Sequence, residues 1–153
     1  MNQFMQRAVA EARVGSAKNH GGPFGAVIVR KGRIIAAAHN EVVKRTDPTA
    51  HAEILAIQRA CAKLRRFELS DCELYASCEP CPLCRAAILW ARIPVVHYGA
   101  DRRDAAAVGF ADAAFHDILA GRRTGTLRIS RTGSKECRAA MKEWSRRADR
   151  VLY

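Results

Sequence analysis

The sequence has no long hydrophobic run, no internal repeat and no low-complexity segment. Without a run of about 18 or more apolar residues, no membrane-spanning helix is predicted. The opening stretch MNQFMQRAVAEARVG lacks the apolar region of a secretory signal and shows helical periodicity instead. We therefore expect a cytoplasmic protein with no membrane association. The absence of a linker or of a break in composition favours a single domain over residues 1–153.

The six cysteines do not indicate a disulfide framework. A chain of 153 residues is long enough to build a core without disulfide cross-links, and structural disulfides are uncommon in the reducing cytosol. Three of the six lie in the short stretch SCEPCPLC, residues 77–84. Their role must therefore be sought in metal binding or in packing.

The charge is strongly positive but is not concentrated in one tract. The net charge of +11 divides into +6 for residues 1–100 and +5 for residues 101–153. Arginine pairs occur at four separate places and do not merge into one basic stretch. This distribution favours an ordinary solvated surface. A nucleic-acid surface stays open as an alternative, because folding can gather distant arginines.

Alternating β-rich and helical segments favour an α/β layered fold. Strands are predicted over residues 24–29, 33–39, 72–77, 95–100 and 126–130. Lys31-Gly32 has the residue types of a hairpin turn between the first two. Asp47 is predicted to be the N-cap of a helix and Pro48 to occupy its first position. Ser134 is predicted to be the N-cap of the last helix.

Two helix starts carry residues that bind metals. One offers His51, with Glu53 two positions later, and the other offers Cys81 and Cys84 on one face of its first turn. The positive end of a helix dipole lowers the pKa of thiols placed there. One imidazole and two thiolates leave the fourth tetrahedral position open, which is typical of a catalytic zinc.

Other uses of these cysteines fit less well. An iron–sulfur run would need a fourth cysteine where Ile88 stands. A four-cysteine structural zinc would need Cys72 or Cys78 to join the pair, although Cys78 lies near a strand end. The simplest alternative is that the cysteines only fill the core. We assign that role to the other four, Cys61, Cys72, Cys78 and Cys137.

Glu53 has the chemistry that a zinc site needs beside it. Zinc can lower the pKa of bound water from about 15.7 to about 7. A second group must then carry the proton to the leaving group. Glu53 is too close in sequence to His51 to be an obvious second ligand, and it suits this shuttle. The alternative is a carboxylate that only stabilises the helix N-terminus.

The two motifs together match a known signature, H-x-E…P-C-x-x-C, of zinc-dependent nucleobase deaminases. The stretches TAHAEILAI and SCEPCPLCRAAILWARI resemble the cytidine deaminase-like superfamily, and the resemblance covers nearly the whole chain. It implies a three-layer α/β/α sandwich around a mixed five-stranded sheet. It also implies one Zn²⁺ per chain on His51, Cys81 and Cys84, with Glu53 as the catalytic proton shuttle.

Two branches of the superfamily are similar to this chain, the bacterial guanine deaminases and the tRNA adenosine deaminases. Both carry DPTAHAE, but SCEPCP, ILWAR and DAAAVGFADAAF resemble the guanine branch. The lysine- and glycine-containing loop of the tRNA branch is missing. We therefore predict hydrolytic deamination of a free purine base, guanine to xanthine and ammonia. The alternatives are adenosine to inosine in tRNA, deamination of another nucleobase, nucleoside or triazine, and a non-enzymatic zinc-stabilised RNA-binding module, which would not need Glu53.

Five residues are candidates for the substrate pocket. Asn40 can donate to and accept from the ring edge, or simply form a turn. Asp112 can accept from the exocyclic amine or N1–H, or cap the following helix. Phe24 can stack on the purine, or pack in the core. Trp90 and the C-terminal aromatic Tyr153 are added by the resemblance to guanine deaminases.

The resemblance also implies a homodimer. Guanine deaminases of this type exchange C-terminal segments, so that one chain helps to close the site of its neighbour. The last predicted helix is compatible with this arrangement, because Met141, Trp144 and Ala148 share one face.

Overall fold

A computed structural model describes residues 2–110 and 112–152. The helices are α1 (Gln3–Ala17), α2 (Val42–Arg45), α3 (Ala52–Leu64), α4 (Pro82–Trp90), α5 (Arg102–Ala107), α6 (Ala113–Leu119) and α7 (Ser134–Ser145). The strands are β1 (Gly25–Arg30), β2 (Arg33–His39), β3 (Cys72–Cys78) and β4 (Val95–Ala100).

The four strands form one mixed sheet in the order β2-β1-β3-β4. β1 pairs antiparallel with both β2 and β3, and β3 pairs parallel with β4. Lys31 and Gly32 connect β1 to β2 with φ values of 49° and 69°. A two-residue hairpin turn whose twist matches that of the strands requires positive φ at both positions. The predicted hairpin is therefore confirmed.

Helices cover both faces of the sheet, and the residues of β1 alternate between them. Val27 and Val29 pack with Ala8 of α1 on one face. Ile28 packs with Leu55 of α3 and with α4 on the other face. A strand that is apolar on both faces is the pattern expected in the middle of a layered α/β fold. The α/β class and its layering are confirmed.

The prediction of a fifth strand at residues 126–130 is wrong, because the described part of the chain forms a four-stranded sheet. Residues 126–130 form no ladder, and Leu127 and Ile129 are 69% and 87% exposed. Their alternating apolar residues give β-propensity, but a strand also needs a neighbour and a buried face. Within the described residues this segment has neither.

Two predicted helix starts also need correction. The Asp47 side chain accepts hydrogen bonds from the Thr49 backbone N–H and hydroxyl, at 2.8 and 2.7 Å. These bonds close a local turn instead of capping a helix, and α3 begins at Ala52. In α7 the N-cap is Gly133, in the left-handed region, and Ser134 is already helical. The short helices α2 and α5 were not predicted.

Two expectations about the whole molecule can also be compared with the structure. None of the helices in the described ranges has the length and apolar character needed to cross a membrane. All six cysteines are unpaired, as the absence of a disulfide framework predicted.

Candidate active site

The N-termini of α3 and α4 meet at one edge of the sheet and bring together the three predicted metal ligands. His51 is the N-cap residue of α3, Cys81 is the N-cap residue of α4, and Cys84 lies in the first turn of α4. Pro82 occupies the first position of α4, where its missing N–H costs nothing. The helix that was expected to begin at the cysteines is thus present.

The distances among these three side chains suit a zinc ion. His51 Nδ1 lies 3.4 Å from both Cys81 Sγ and Cys84 Sγ, and the two sulfurs are 3.6 Å apart. Tetrahedral zinc with ordinary bond lengths would separate two sulfurs by about 3.8 Å and a sulfur from a nitrogen by about 3.6 Å. The side chains therefore match a zinc site to within about 0.2 Å.

The protonation of the three groups is strongly coupled. Hydrogen bonding from Cys84 and then from His51, against the opposing effect of burial, lowers the pKa of Cys81 to about 4. Hydrogen bonding to Cys81, together with burial, raises the pKa of Cys84. Hydrogen bonding to Cys81 also raises the pKa of His51. These shifts favour deprotonation of Cys81 first, and a metal cation could replace the protons that the three groups share.

Glu53 lies in the first turn of α3, beside this cluster. It is 8% exposed, and burial raises the pKa of Glu53 to about 7. A carboxyl group with a pKa near neutrality can both take up and release a proton under physiological conditions. This property is what the proton shuttle requires.

A cavity of about 590 Å³ opens over the cluster. This volume falls in the range of small-molecule sites, which is about 300–1,000 Å³. His51, Glu53 and Cys81 form part of its wall. The other lining residues include Gly21, Gly22, Pro23, Phe24, Asn40, Ser77, Cys78, Glu79, Phe110 and Asp112.

Asn40 follows β2, is 5% exposed and lines the cavity. Its Oδ1 accepts a hydrogen bond of 3.2 Å from the Val42 N–H. The Asn40 side chain therefore stabilises the turn after β2, which is one of the two predicted roles. Its amide N–H groups can still donate hydrogen bonds to a ligand. Gly21 approaches so closely that an added Cβ would lie 2.0 Å from Asn40 Oδ1, so only glycine fits there.

Asp112 stands at the N-cap position of α6, but its side chain makes no capping hydrogen bond. Its Oδ1 is buried and has no hydrogen-bond partner, and the residue lines the cavity. A buried acceptor without a partner costs about 1–3 kcal/mol. A ligand that donates to this oxygen would remove that cost.

Two phenylalanines form an aromatic wall. Phe24 and Phe110 both line the cavity, and their rings meet edge to face with centroids 4.8 Å apart. Phe24 also packs against the core, so the packing interpretation is confirmed, and its stacking on a purine stays a prediction. Cys78 lines the same cavity, and burial raises the pKa of its thiol to about 11, as expected for an unreactive packing cysteine.

The structure does not bring all the predicted substrate residues together. Trp90 ends α4, is 66% exposed and is not among the residues that line the cavity. The helix carries its C-terminal end away from the cysteines at its start. Tyr153 lies outside the described residues.

Several lining residues were missed from the sequence. Phe110 stands two positions before Asp112 in the stretch that was compared with guanine deaminases, so its position was a usable signal. Glu79 lies within the cysteine motif itself. Its buried carboxylate accepts from Arg85 at 2.5 Å and from the Arg102 N–H at 3.2 Å, and it ties the start of α4 to α5. No local pattern predicts those two partners.

Comparison with known families agrees with this geometry. Residues 1–100 match the family model of the cytidine and deoxycytidylate deaminase zinc-binding region. That range contains the two helix N-termini, Glu53 and all three candidate ligands. It ends before Phe110 and Asp112.

Individual relatives extend the comparison. The chain is 54% identical over 110 residues to a guanine deaminase of Bacillus subtilis, covering 72% of this chain and 70% of that protein. It is 45% identical over 97 residues to a tRNA-specific adenosine deaminase of Aquifex aeolicus, covering 63% and 64%. The crystal structure of the Bacillus subtilis guanine deaminase superposes with a TM-score of 0.92 at 42% identity, over 100% of this chain and 99% of that one.

Proposed function

The chain belongs to the family of the cytidine and deoxycytidylate deaminase zinc-binding region, and we propose that it hydrolyses guanine to xanthine and ammonia. One observation carries the choice of substrate. The cavity that Glu53 and the metal ligands line also presents a donor at Asn40 and an unpartnered buried acceptor at Asp112. Guanine has acceptors at O6, N3 and N7 and donors at N1 and the C2 amine, so it can satisfy both.

The zinc ion would be held by His51, Cys81 and Cys84. When bound, it would supply Lewis acidity and so make water a stronger nucleophile toward C2 of guanine at neutral pH. The protein fixes the three ligands on two helix N-termini that pack against each other. This arrangement leaves the side of the cluster that faces the cavity for the water and the substrate.

Glu53 moves the proton. The carboxylate takes a proton from the attacking water and delivers it to the departing C2 amine, so that ammonia leaves and the ring becomes xanthine. Its burial and raised pKa suit both steps. A carboxylate that only stabilised the helix N-terminus would not need to line the cavity, as Glu53 does.

Asn40 and Asp112 orient the base. Because Asn40 Oδ1 is occupied by the Val42 N–H, the amide donates to an acceptor on the purine edge. Asp112 accepts from N1–H or from the amine. Adenine has no N1–H, so it would lose that contact and could reach Asp112 only through the amine that must depart, at a cost of about 1–3 kcal/mol. Phe24 and Phe110 form the aromatic wall beside the purine ring.

The test is a panel of substrates assayed for ammonia release. We expect guanine to be turned over far faster than adenine, cytosine, guanosine, adenosine and a tRNA anticodon stem-loop. The Asp112 contact predicts roughly a 5–150-fold preference for guanine over adenine, which corresponds to about 1–3 kcal/mol. Equal or faster release from any other substrate would refute the assignment to guanine.

Adenosine in tRNA is the second candidate, and two observations favour it. These are the net charge of +11 and the 45% identity to the Aquifex aeolicus enzyme. A tRNA substrate would make binding fall on the order of 10³-fold or more between 50 and 200 mM salt for about six phosphate contacts. A neutral base would give a nearly flat profile. We expect the flat profile, because Asp101 and Asp104 stand beside Arg102 and Arg103 in and next to α5.

A gel shift with tRNA is a second, independent test that distinguishes guanine from tRNA as the substrate. We expect no tight complex at 150 mM salt, either with the unchanged protein or after Arg102→Ser and Arg103→Ser. Tight binding that those two changes abolish would instead assign the protein to the tRNA branch.

We also propose a homodimer in which C-terminal segments are exchanged. The support is that α7 buries none of its residues and exposes Met141 and Trp144, while β4 is an edge strand of the described sheet. Exposed apolar residues and an open sheet edge both favour burial against a second copy. In such a dimer Trp90 and Tyr153 would have the opportunity to reach a site shared between the chains. Sedimentation should show a dimer.

A further inference from the structure

Outside the candidate zinc site, the described residues contain one more compact group of metal-ligating side chains. His20 follows α1, His39 ends β2 and Glu41 precedes α2. One ligand atom from each lies within 4.8 Å of the others. We propose that these three side chains bind a second divalent transition-metal ion.

Two of the three distances need only small adjustments to accept an ion, and the third, between His20 and Glu41, lies within 4.8 Å. His20 Nδ1 lies 2.9 Å from His39 Nε2, and His39 Nε2 lies 3.7 Å from Glu41 Oε1. A tetrahedral ion with ordinary bond lengths would place neighbouring ligand atoms about 3.3–3.4 Å apart. The first pair must open and the second must close, each by about 0.5 Å or less. Side-chain rotation of the partly buried His20 is enough for the first change.

Glu11 of α1 prepares His39 for metal binding. Glu11 Oε2 lies 3.2 Å from His39 Nδ1. A carboxylate at that distance accepts the Nδ1–H and leaves Nε2 unprotonated, directed at His20 and Glu41. A metal-bound histidine characteristically donates its other ring N–H to such a group. The ligand atom of His39 is therefore already selected.

Burial further fixes the group. The side chains of His39 and Glu41 are 12% and 4% exposed, so their positions are set by packing between α1, β2 and α3. A carboxylate that deep in the protein must have cationic or hydrogen-bonding partners. Because Asn40 lies between two of the proposed ligands, an ion here would also hold the backbone beside the cavity.

Three cationic side chains compete with the ion, and they set its expected strength. Arg45 binds Glu41 Oε2 at 2.5 Å, while Lys44 and Arg59 approach Oε1 at 3.5 and 3.3 Å. All three are close to half exposed and can turn to solvent. Two imidazoles and one carboxylate suit Zn²⁺, Ni²⁺ or Cu²⁺ far better than Mg²⁺. We expect binding weaker than at the thiolate site, and selective for these ions.

The experiment is a calorimetric titration of the full-length, tag-free protein with Ni²⁺, started after metal analysis has shown one zinc per chain. We expect one further equivalent of Ni²⁺ to bind and none of Mg²⁺. His20→Gln and His39→Gln should each abolish binding of this Ni²⁺ equivalent. Both variants should keep the zinc bound at the thiolate site, and that retained zinc also shows that they fold. Glu11→Gln should weaken Ni²⁺ binding by about 10–100-fold.

Two more variants distinguish an ion site from a simple hydrogen-bonded histidine pair. Lys44→Gln removes a competing charge and should tighten Ni²⁺ binding by about twofold to fivefold. His97→Gln is the matched control, because His97 also pairs with a carboxylate, Glu73, at 3.3 Å but has no second imidazole. It should leave the titration unchanged. No second equivalent with a Kd below about 1 mM, or a second equivalent that persists in both histidine variants, would overturn the proposal.

Discussion

The packed part of the chain and its last thirty residues differ sharply. Up to α5, each face of the sheet is covered by helices, and the candidate ligands sit on helix N-termini that hold one another in place. In residues 122–152, none of the described residues is fully buried. The Arg147 side chain donates to Asp149, two positions away, and α7 buries none of its residues.

The difference separates two kinds of contribution to a deaminase. Chemistry needs groups fixed to a fraction of an ångström, and only the packed part supplies that. The exposed segment has apolar residues without a local surface to cover, which suits a role that depends on a second chain.

Loss of a metal ligand should have the largest effect. Cys81→Ser and His51→Ala should lose zinc, stability and turnover together, because metal binding and folding are coupled. Cys137→Ser, in exposed α7, should change none of these. Metal analysis and thermal unfolding of the purified variants give the result. Full zinc occupancy in both ligand variants would remove the assignment of the site.

Glu53→Gln should retain zinc and fold but lose turnover by about 10²–10⁴-fold or more, because an amide cannot carry the proton. Glu136→Gln is the matched control, since Glu136 also lies in the first turn of a helix but in the exposed segment. Steady-state rates of both variants with guanine are the measurement. A near-normal rate for Glu53→Gln would show that Glu53 only stabilises its helix.

The same contrast explains which parts of the structure the sequence could predict. Strands β1 to β4 and the ligand-bearing turn of α4 were predictable, because their residue patterns and their packing agree. The strand at residues 126–130 was not, because its apolar alternation has no partner in this chain. The start of α3 was misplaced because Asp47 can cap a turn as well as a helix, and the choice depends on the Thr49 contacts.

The substrate side of the site was only partly predictable for a related reason. Asn40 and Asp112 could be proposed from residue type and resemblance. The occupied Oδ1 of Asn40 and the unpartnered Oδ1 of Asp112 are properties of the folded chain. The pairing of His20 with His39 likewise joins residues 19 positions apart, and no motif announces it.

Asp112→Asn should damage the use of guanine selectively. The change replaces one acceptor oxygen by a donor, which would face the N1–H or the amine of guanine and cost about 1–3 kcal/mol, or roughly 5–150-fold in kcat/KM. Asp117→Asn, on an exposed part of α6, is the control. Zinc content should be unchanged in both. Equal losses against all substrates tested would point to a general role in supporting α6.

Charging the apolar face of α7 should disrupt assembly. Met141→Glu with Trp144→Glu is expected to shift the protein from dimer to monomer, because two charges would be buried in the proposed interface. Lys142→Glu, on the same helix, is the control for charge alone. Sedimentation velocity measures both. A dimer that survives the double change would place the interface elsewhere.

The smallest effect should come from comparing one ion pair in each region. Asp71 accepts from Arg30 at 2.6 Å and also bonds to Arg66, and these hydrogen bonds hold the pKa of Asp71 well below its usual range. Hydrogen bonding to Arg147 lowers the pKa of Asp149 as well. A lowered folded-state pKa adds stability above the unfolded value of about 3.9, and that stability is lost as the pH falls through the folded value.

Asp71→Asn should therefore lower the urea midpoint at pH 7, with a difference that shrinks below about pH 4. Asp149→Asn should have no measurable effect at either pH, because its pair joins neighbours in an exposed segment and ties no elements together. Equal midpoint shifts in the two variants would mean that the C-terminal segment is as firmly packed as the sheet.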